Sequence, residues 1–110
     1  MALHHASSGE LIDIRPLGDT LRQAVTKTLY KSDHMQVFRL VLPAGKTAPA
    51  HSVDGEITIQ CLEGAAELSI CDVIRAMRPG DLVCLAGGVA HALKACEDAS
   101  VLVTVQRQQH

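Results

Sequence analysis

Turn signals recur along this chain at intervals that leave room only for short β-strands. They are Pro43-Ala44-Gly45, Asp54-Gly55, Glu63-Gly64, Pro79-Gly80-Asp81 and Gly87-Gly88. Between them, residues alternate. Ile57, Ile59 and Cys61 fall on one face of a strand over 56–61, with Glu56, Thr58 and Gln60 on the other. Ala66, Leu68 and Ile70 alternate with Glu67 and Ser69. Val101, Val103 and Val105 alternate with Leu102, Thr104 and Gln106. Val37 to Leu42 is apolar except for Arg39 and reads as a well-buried strand. Strands punctuated this regularly point to an all-β barrel or sandwich.

The first third of the chain is less regular. Leu11 to Ile14 reads as a short strand ended by Pro16. Residues 24–31 fit the first arm of a hairpin that turns at Ser32-Asp33-His34 and returns from Met35; residues 19–28 equally fit one or two helical turns.

A chain of 110 residues makes one domain, here spanning 1–110, and 47% hydrophobic residues supply a real interior. Net charge is −2, with both signs scattered, so no basic block draws in nucleic acid or an anionic membrane. Tyr30 and Phe38 are the only aromatic residues, too few for a base-stacking platform. No apolar run reaches the length of a membrane span, and the N-terminus lacks the apolar core of a signal peptide. Cys61, Cys71, Cys84 and Cys96 have no paired spacing and sit among apolar neighbours, which predicts small buried hydrophobes. The expected compartment is the reducing cytoplasm.

Two histidines stand out from this background, in Gly45-Lys-Thr-Ala-Pro-Ala-His51 and in Gly80-Asp-Leu-Val-Cys-Leu-Ala-Gly-Gly-Val-Ala-His91. Each phrase follows a strand and a Pro/Gly turn, as two related halves of a double-stranded β-helix would. At these residues the chain resembles the cupins, small jelly-roll barrels of the RmlC-like kind. Their first motif runs from a glycine through His-x-His and a glutamate to a second glycine. Gly45, His51 and Gly64 match it, while Val53 stands at the second histidine and Ile57 at the glutamate. Their second motif is matched at Gly80 and His91, with Ala86-Gly87-Gly88 in place of Pro-x-Gly and Ala95 in place of asparagine. The resemblance covers about residues 36–106.

It implies an all-β double-stranded β-helix of eight to ten strands, and a homodimer, since small cupins commonly pair. In cupins the motif histidines and glutamate hold one Mn, Fe, Ni or Zn ion. Here His51 and His91 alone survive at ligand positions, too few for a tight site. Two functional readings follow. In the first, the chain binds a small molecule in an apolar pocket lined by Val53, Ile57 and Ile59, with His51 and His91 as polar handles. In the second it is a metal-dependent enzyme of the dioxygenase or isomerase type, with Glu56 as third ligand beside His51 and His91; a metal-free variant uses one histidine as general base.

The bland readings are a hydrogen-bonded rim residue for His51 and a satisfied core residue for His91. His4, His5, His34 and His110 read as solvated. Arg39 is expected on the far face of its strand or across a dimer, with an anionic ligand as the sharper alternative. No serine has a nucleophile-elbow frame, and Gly87-Gly88 leads into a strand and not into a phosphate-binding helix.

Overall fold

The computed structural model describes residues 5–51 and 53–107, and the side chains of all of these except Pro49, Ala50 and His51. The expected alternation produces nine strands among the described residues: β1 (Lys27–Lys31), β2 (Met35–Leu42), β3 (Thr47–His51), β4 (Ile57–Glu63), β5 (Ala66–Ile70), β6 (Val73–Met77), β7 (Leu82–Leu85), β8 (His91–Ala95) and β9 (Ala99–Gln106). All pairings are antiparallel. One sheet has the order β1-β2-β9-β4-β7 and the other β3-β8-β5-β6. Their inner faces pack together as a jelly roll. Among the described residues no helix is long and apolar enough to cross a membrane.

Strand parity decides what lies inside. Ile57, Ile59 and Cys61 are buried, and their partners across β9 are Val105, Val103 and Val101. On the other side of β9 these valines face Gln36, Phe38 and Leu40 of β2. Three inner rows result, with a fourth formed by Leu42 and Ala99. In the facing sheet, His91 stands beside Ile70, Leu93 beside Leu68, and Ala95 beside Ala66. The lower rows are closed, with Cys61, Leu68, Val101 and Ala99 fully buried.

Turn chemistry follows local rules. Ser32 Oγ accepts the His34 and Met35 amides at 3.2 Å and closes the β1–β2 hairpin. Asp81 Oδ2 accepts the Arg78 amide at 2.9 Å, so Asp81 is the turn residue its position predicted. Residues 86–89 dock on the segment after β3, where the Gly88 amide donates to the Val53 carbonyl at 2.7 Å. A side chain at Gly87 would run into the Asp54 carbonyl, so only glycine permits this approach.

Two expectations fail, each for a physical reason. Leu11–Ile14 forms no strand, because the Asp13 and Arg15 carbonyls accept from the Arg39 guanidinium and not from a ladder. Cys71, Cys84 and Cys96 are exposed; only Cys61 is buried, and burial pushes its thiol pKa up. Cys71 sits in the β5–β6 turn with φ of 53°, and Cys84 on an edge strand. Arg39 does project from the outer face of β2, but it is buried there, covered by the chain's own residues 13–17.

That cover is held by one carboxylate. A bulge between Cys61 and Glu63 shifts parity and sets Glu63 opposite Ser100, among the outward residues of β9. Glu63 accepts the Leu17 amide at 2.9 Å, the Gly18 amide at 3.1 Å and the Ser100 hydroxyl at 2.6 Å, and lies 3.9 Å from the Arg39 guanidinium. Its side chain is only 12% exposed. Burial by itself raises the Glu63 pKa, but these hydrogen bonds and the Arg39 charge outweigh it, and the net shift is downward. A short 3₁₀ helix, Gly18–Gln23, follows and buries Leu21, so the helical alternative holds for 18–23 and the hairpin for 27–42.

A carboxylate with a lowered native pKa stabilises the fold above its unfolded pKa, near 4.5, and this contribution disappears as pH falls through the lower native value. Glu63→Gln should therefore lose about 2 kcal/mol near neutral pH and show a shallower decline of stability below pH 4.5 than the parent, measured by urea unfolding across pH. Gly87→Ala should cost about 1–3 kcal/mol by the same assay, through overpacking against Asp54.

Candidate functional site

The upper inner rows of the two sheets do not close on each other. Between them lies a cavity of about 300 Å³. From the five-stranded sheet its wall takes Gln36, Phe38 and Leu40 of β2, Ile57 and Ile59 of β4, and Val103 and Val105 of β9. From the other side come Ala48 of β3, Val53, and His91 and Leu93 of β8. These are the positions that alternation turns inward, stopping where Cys61, Leu68 and Val101 fill the interior.

Four of the predicted residues, Val53, Ile57, Ile59 and His91, line this one cavity. His51 is the Cα partner of His91 across the β3–β8 ladder, after a bulge between Ala48 and His51; its side chain lies outside the description. Glu56 is elsewhere. It is exposed and borders a shallow groove outside the barrel with Thr58, Thr104 and Gln106. The expectation that Glu56 joins His51 and His91 as a metal ligand does not fit this placement. Its amide and carbonyl are paired with Gln106 through the Gln106 side-chain oxygen and the Gln106 amide. The unbroken β4–β9 register then keeps Ile57 inward and Glu56 outward.

His91 is buried, at 4% exposure. Its Nδ1 lies 3.0 Å from the Val89 carbonyl. A carbonyl can only accept, so Nδ1 carries a proton and, in the neutral ring, the lone pair resides on Nε2. Among the described residues, no three His, Cys, Asp or Glu side chains gather as a metal cluster would require. The described lining has no hydroxyl, thiol, amine or carboxylate. What it has is a wide apolar wall and two polar side chains, His91 and Gln36.

Sequence reading passed over Gln36. The signal was available in principle: Gln36 is in step with Phe38, Leu40 and Leu42, the inward set of β2. It was obscured because the strand was read as beginning at Val37. Gln36 is half-buried, and its Nε2 donates to the Thr28 hydroxyl at 3.2 Å. Arg39, the sharper candidate for anion binding, is occupied with Glu63 on the opposite face of the same strand.

No protein-family model and no curated protein sequence matches the chain. Solved structures do. A cupin superfamily protein from Desulfitobacterium hafniense superposes with a TM-score of 0.76 at 18% identity, covering 89% of this chain and 95% of that one. An RmlC-like cupin from Desulfovibrio desulfuricans superposes with a TM-score of 0.70 at 26% identity, covering 93% and 97%. A salicylate 1,2-dioxygenase from Pseudoaminobacter salicylatoxidans matches at a TM-score of 0.68 and 15% identity, over 73% of this chain and 25% of that larger one. Two facing antiparallel sheets agree with these likenesses: the chain has the fold of a small RmlC-like cupin.

Proposed function

We propose that this protein binds a small molecule between its two sheets, in the cavity bordered by His91 and Gln36. The observation that carries this reading is the make-up of the cavity wall: apolar residues from both sheets around two polar side chains. Small-molecule sites have this composition, with polar groups few and convergent. A volume of about 300 Å³ is at the small end of such sites, which fits a single ring or a short branched chain.

One observation favours a second reading, a metal-dependent cupin enzyme: His51 and His91 are paired across one ladder. The salicylate dioxygenase among the structural likenesses points the same way by fold alone. The described donors do not fit a resident metal, since Glu56 is outside and two imidazoles fall short of the three protein ligands of a catalytic site.

Toluene is a suitable neutral probe for the cavity. Its titration into methyl-labelled protein should give saturable shifts at Ile57, Ile59 and Val103. Ala48→Leu, which fills part of the cavity, should abolish them while the protein stays folded. An absence of shifts up to the solubility of toluene would sink the binding reading. For the metal reading, elemental mass spectrometry on protein purified without chelator should find far less than one Fe, Mn, Ni or Zn per chain. A stoichiometric metal that is lost in His51→Ala would reverse the ranking of the two.

A further inference from the structure

We infer that the cavity selects neutral ligands that carry a hydrogen-bond donor, and that Gln36 is the residue that reads this donor. The inference rests on the binding reading above and specifies its ligand class.

The first part concerns charge. Among the described residues, no Lys, Arg, Asp or Glu borders the cavity. The buried guanidinium closest to it in sequence, Arg39, is one residue from both Phe38 and Leu40 in the cavity wall, and strand parity puts it on the outer face. There it meets Glu63 and the carbonyls of Asp13 and Arg15. A carboxylate or phosphate entering the cavity would give up its hydration and find no countercharge among these groups. Such burial costs far more than one neutral hydrogen bond returns. An anion is therefore disfavoured against a neutral group of the same shape, His91 being the one described lining residue that could meet it.

The second part concerns orientation. The inner rows are graded in polarity. Gln36 shares its row with Val105 and Ile57, and the row below holds only Phe38, Val103 and Ile59. Below that come Val101 and Cys61, fully buried. In the facing sheet His91 stands above Leu93 and Leu68 in the same sense. The two polar side chains thus occupy the upper rows, one in each sheet, and the depth is apolar. A ligand fits with its apolar body down and its polar group up.

The third part concerns the amide itself. Gln36 donates through Nε2 to the Thr28 hydroxyl at 3.2 Å. This bond ties the nitrogen end to β1, so the carbonyl oxygen is the end the amide offers to a cavity ligand. An oxygen there accepts, and its complement is a hydroxyl or N–H on the ligand. The class is then a compact phenol, alcohol or amide, and not an acid.

Three probes of one shape separate these claims: toluene, 4-methylphenol and 4-methylbenzoate at pH 7, compared by methyl chemical-shift titration. In the parent, 4-methylphenol should bind about fivefold tighter than toluene, and 4-methylbenzoate more than a hundredfold weaker than 4-methylphenol. Gln36→Leu should remove the advantage of 4-methylphenol over toluene, and saturable toluene shifts in the variant report that the cavity is still formed. Gln36→Met serves the same comparison should the first variant fold poorly. If 4-methylbenzoate binds as well as 4-methylphenol, the neutral class is overturned while the cavity reading survives. If both variants keep the phenol's advantage, Gln36 is not its reader. If toluene itself fails to bind, the underlying site is wrong.

Discussion

Parity along β4 is the constraint on which the rest of this molecule depends. One strand, paired with β9 on one side and β7 on the other, presents Ile57, Ile59 and Cys61 inward. A slip of one residue would exchange these for Thr58 and Gln60 and remove the apolar wall of the cavity. The single break in this parity is the bulge after Cys61, which releases Glu63 to the outer surface. Interior and exterior are thus specified by the same few residues: an unbroken alternation builds the cavity, and one inserted residue builds the anchor for the N-terminal segment.

The two faces of β2 show how a small barrel accommodates a buried charge without placing it in the cavity. Arg39 and Glu63 are both largely buried, yet they meet on the outer side of the sheet, where the segment that covers it supplies the Leu17 and Gly18 amides and the Asp13 and Arg15 carbonyls. Buried ion pairs are tolerated when hydrogen bonds satisfy their remaining groups. Here backbone amides, backbone carbonyls and the Ser100 hydroxyl do so. No buried side-chain nitrogen or oxygen among the described residues lacks a partner. The inward face of the same strand is left to Phe38, Leu40 and Leu42, with Gln36 at its upper end.

Much of this was legible in the sequence. Period-two alternation and closely spaced turns specify the strands, and motif glycines with His51 and His91 specify the family of barrels the chain resembles. The hairpin at Ser32-Asp33-His34 and the inward set at Ile57 and Ile59 were readable because each is a local property of a short stretch. What escaped was non-local. Leu11–Ile14 carries a strand-like pattern, but its Asp13 carbonyl serves Arg39, a residue 26 positions away. The exposed cysteines sit among apolar neighbours in sequence and beside solvent in space, because edge strands and turns expose what central strands bury. Gln36 was lost to a strand boundary misplaced by two residues, since β2 begins at Met35 and the apolar run at Val37. Glu56 was considered because a loop at Asp54-Gly55 could break parity; the break occurs instead after Cys61.

The contact between the segment 53–54 and the turn 86–89 has a dynamic side. The Gly88 amide is bonded to the Val53 carbonyl, and Gly87 leaves no gap against Asp54. Val53 borders the cavity, and residue 89 supplies the carbonyl that orients His91. Neither segment can swing aside without dragging the other and disturbing the imidazole. Along this stretch the rim is coupled, and any movement that widens the entrance also shifts the imidazole a molecule would meet inside.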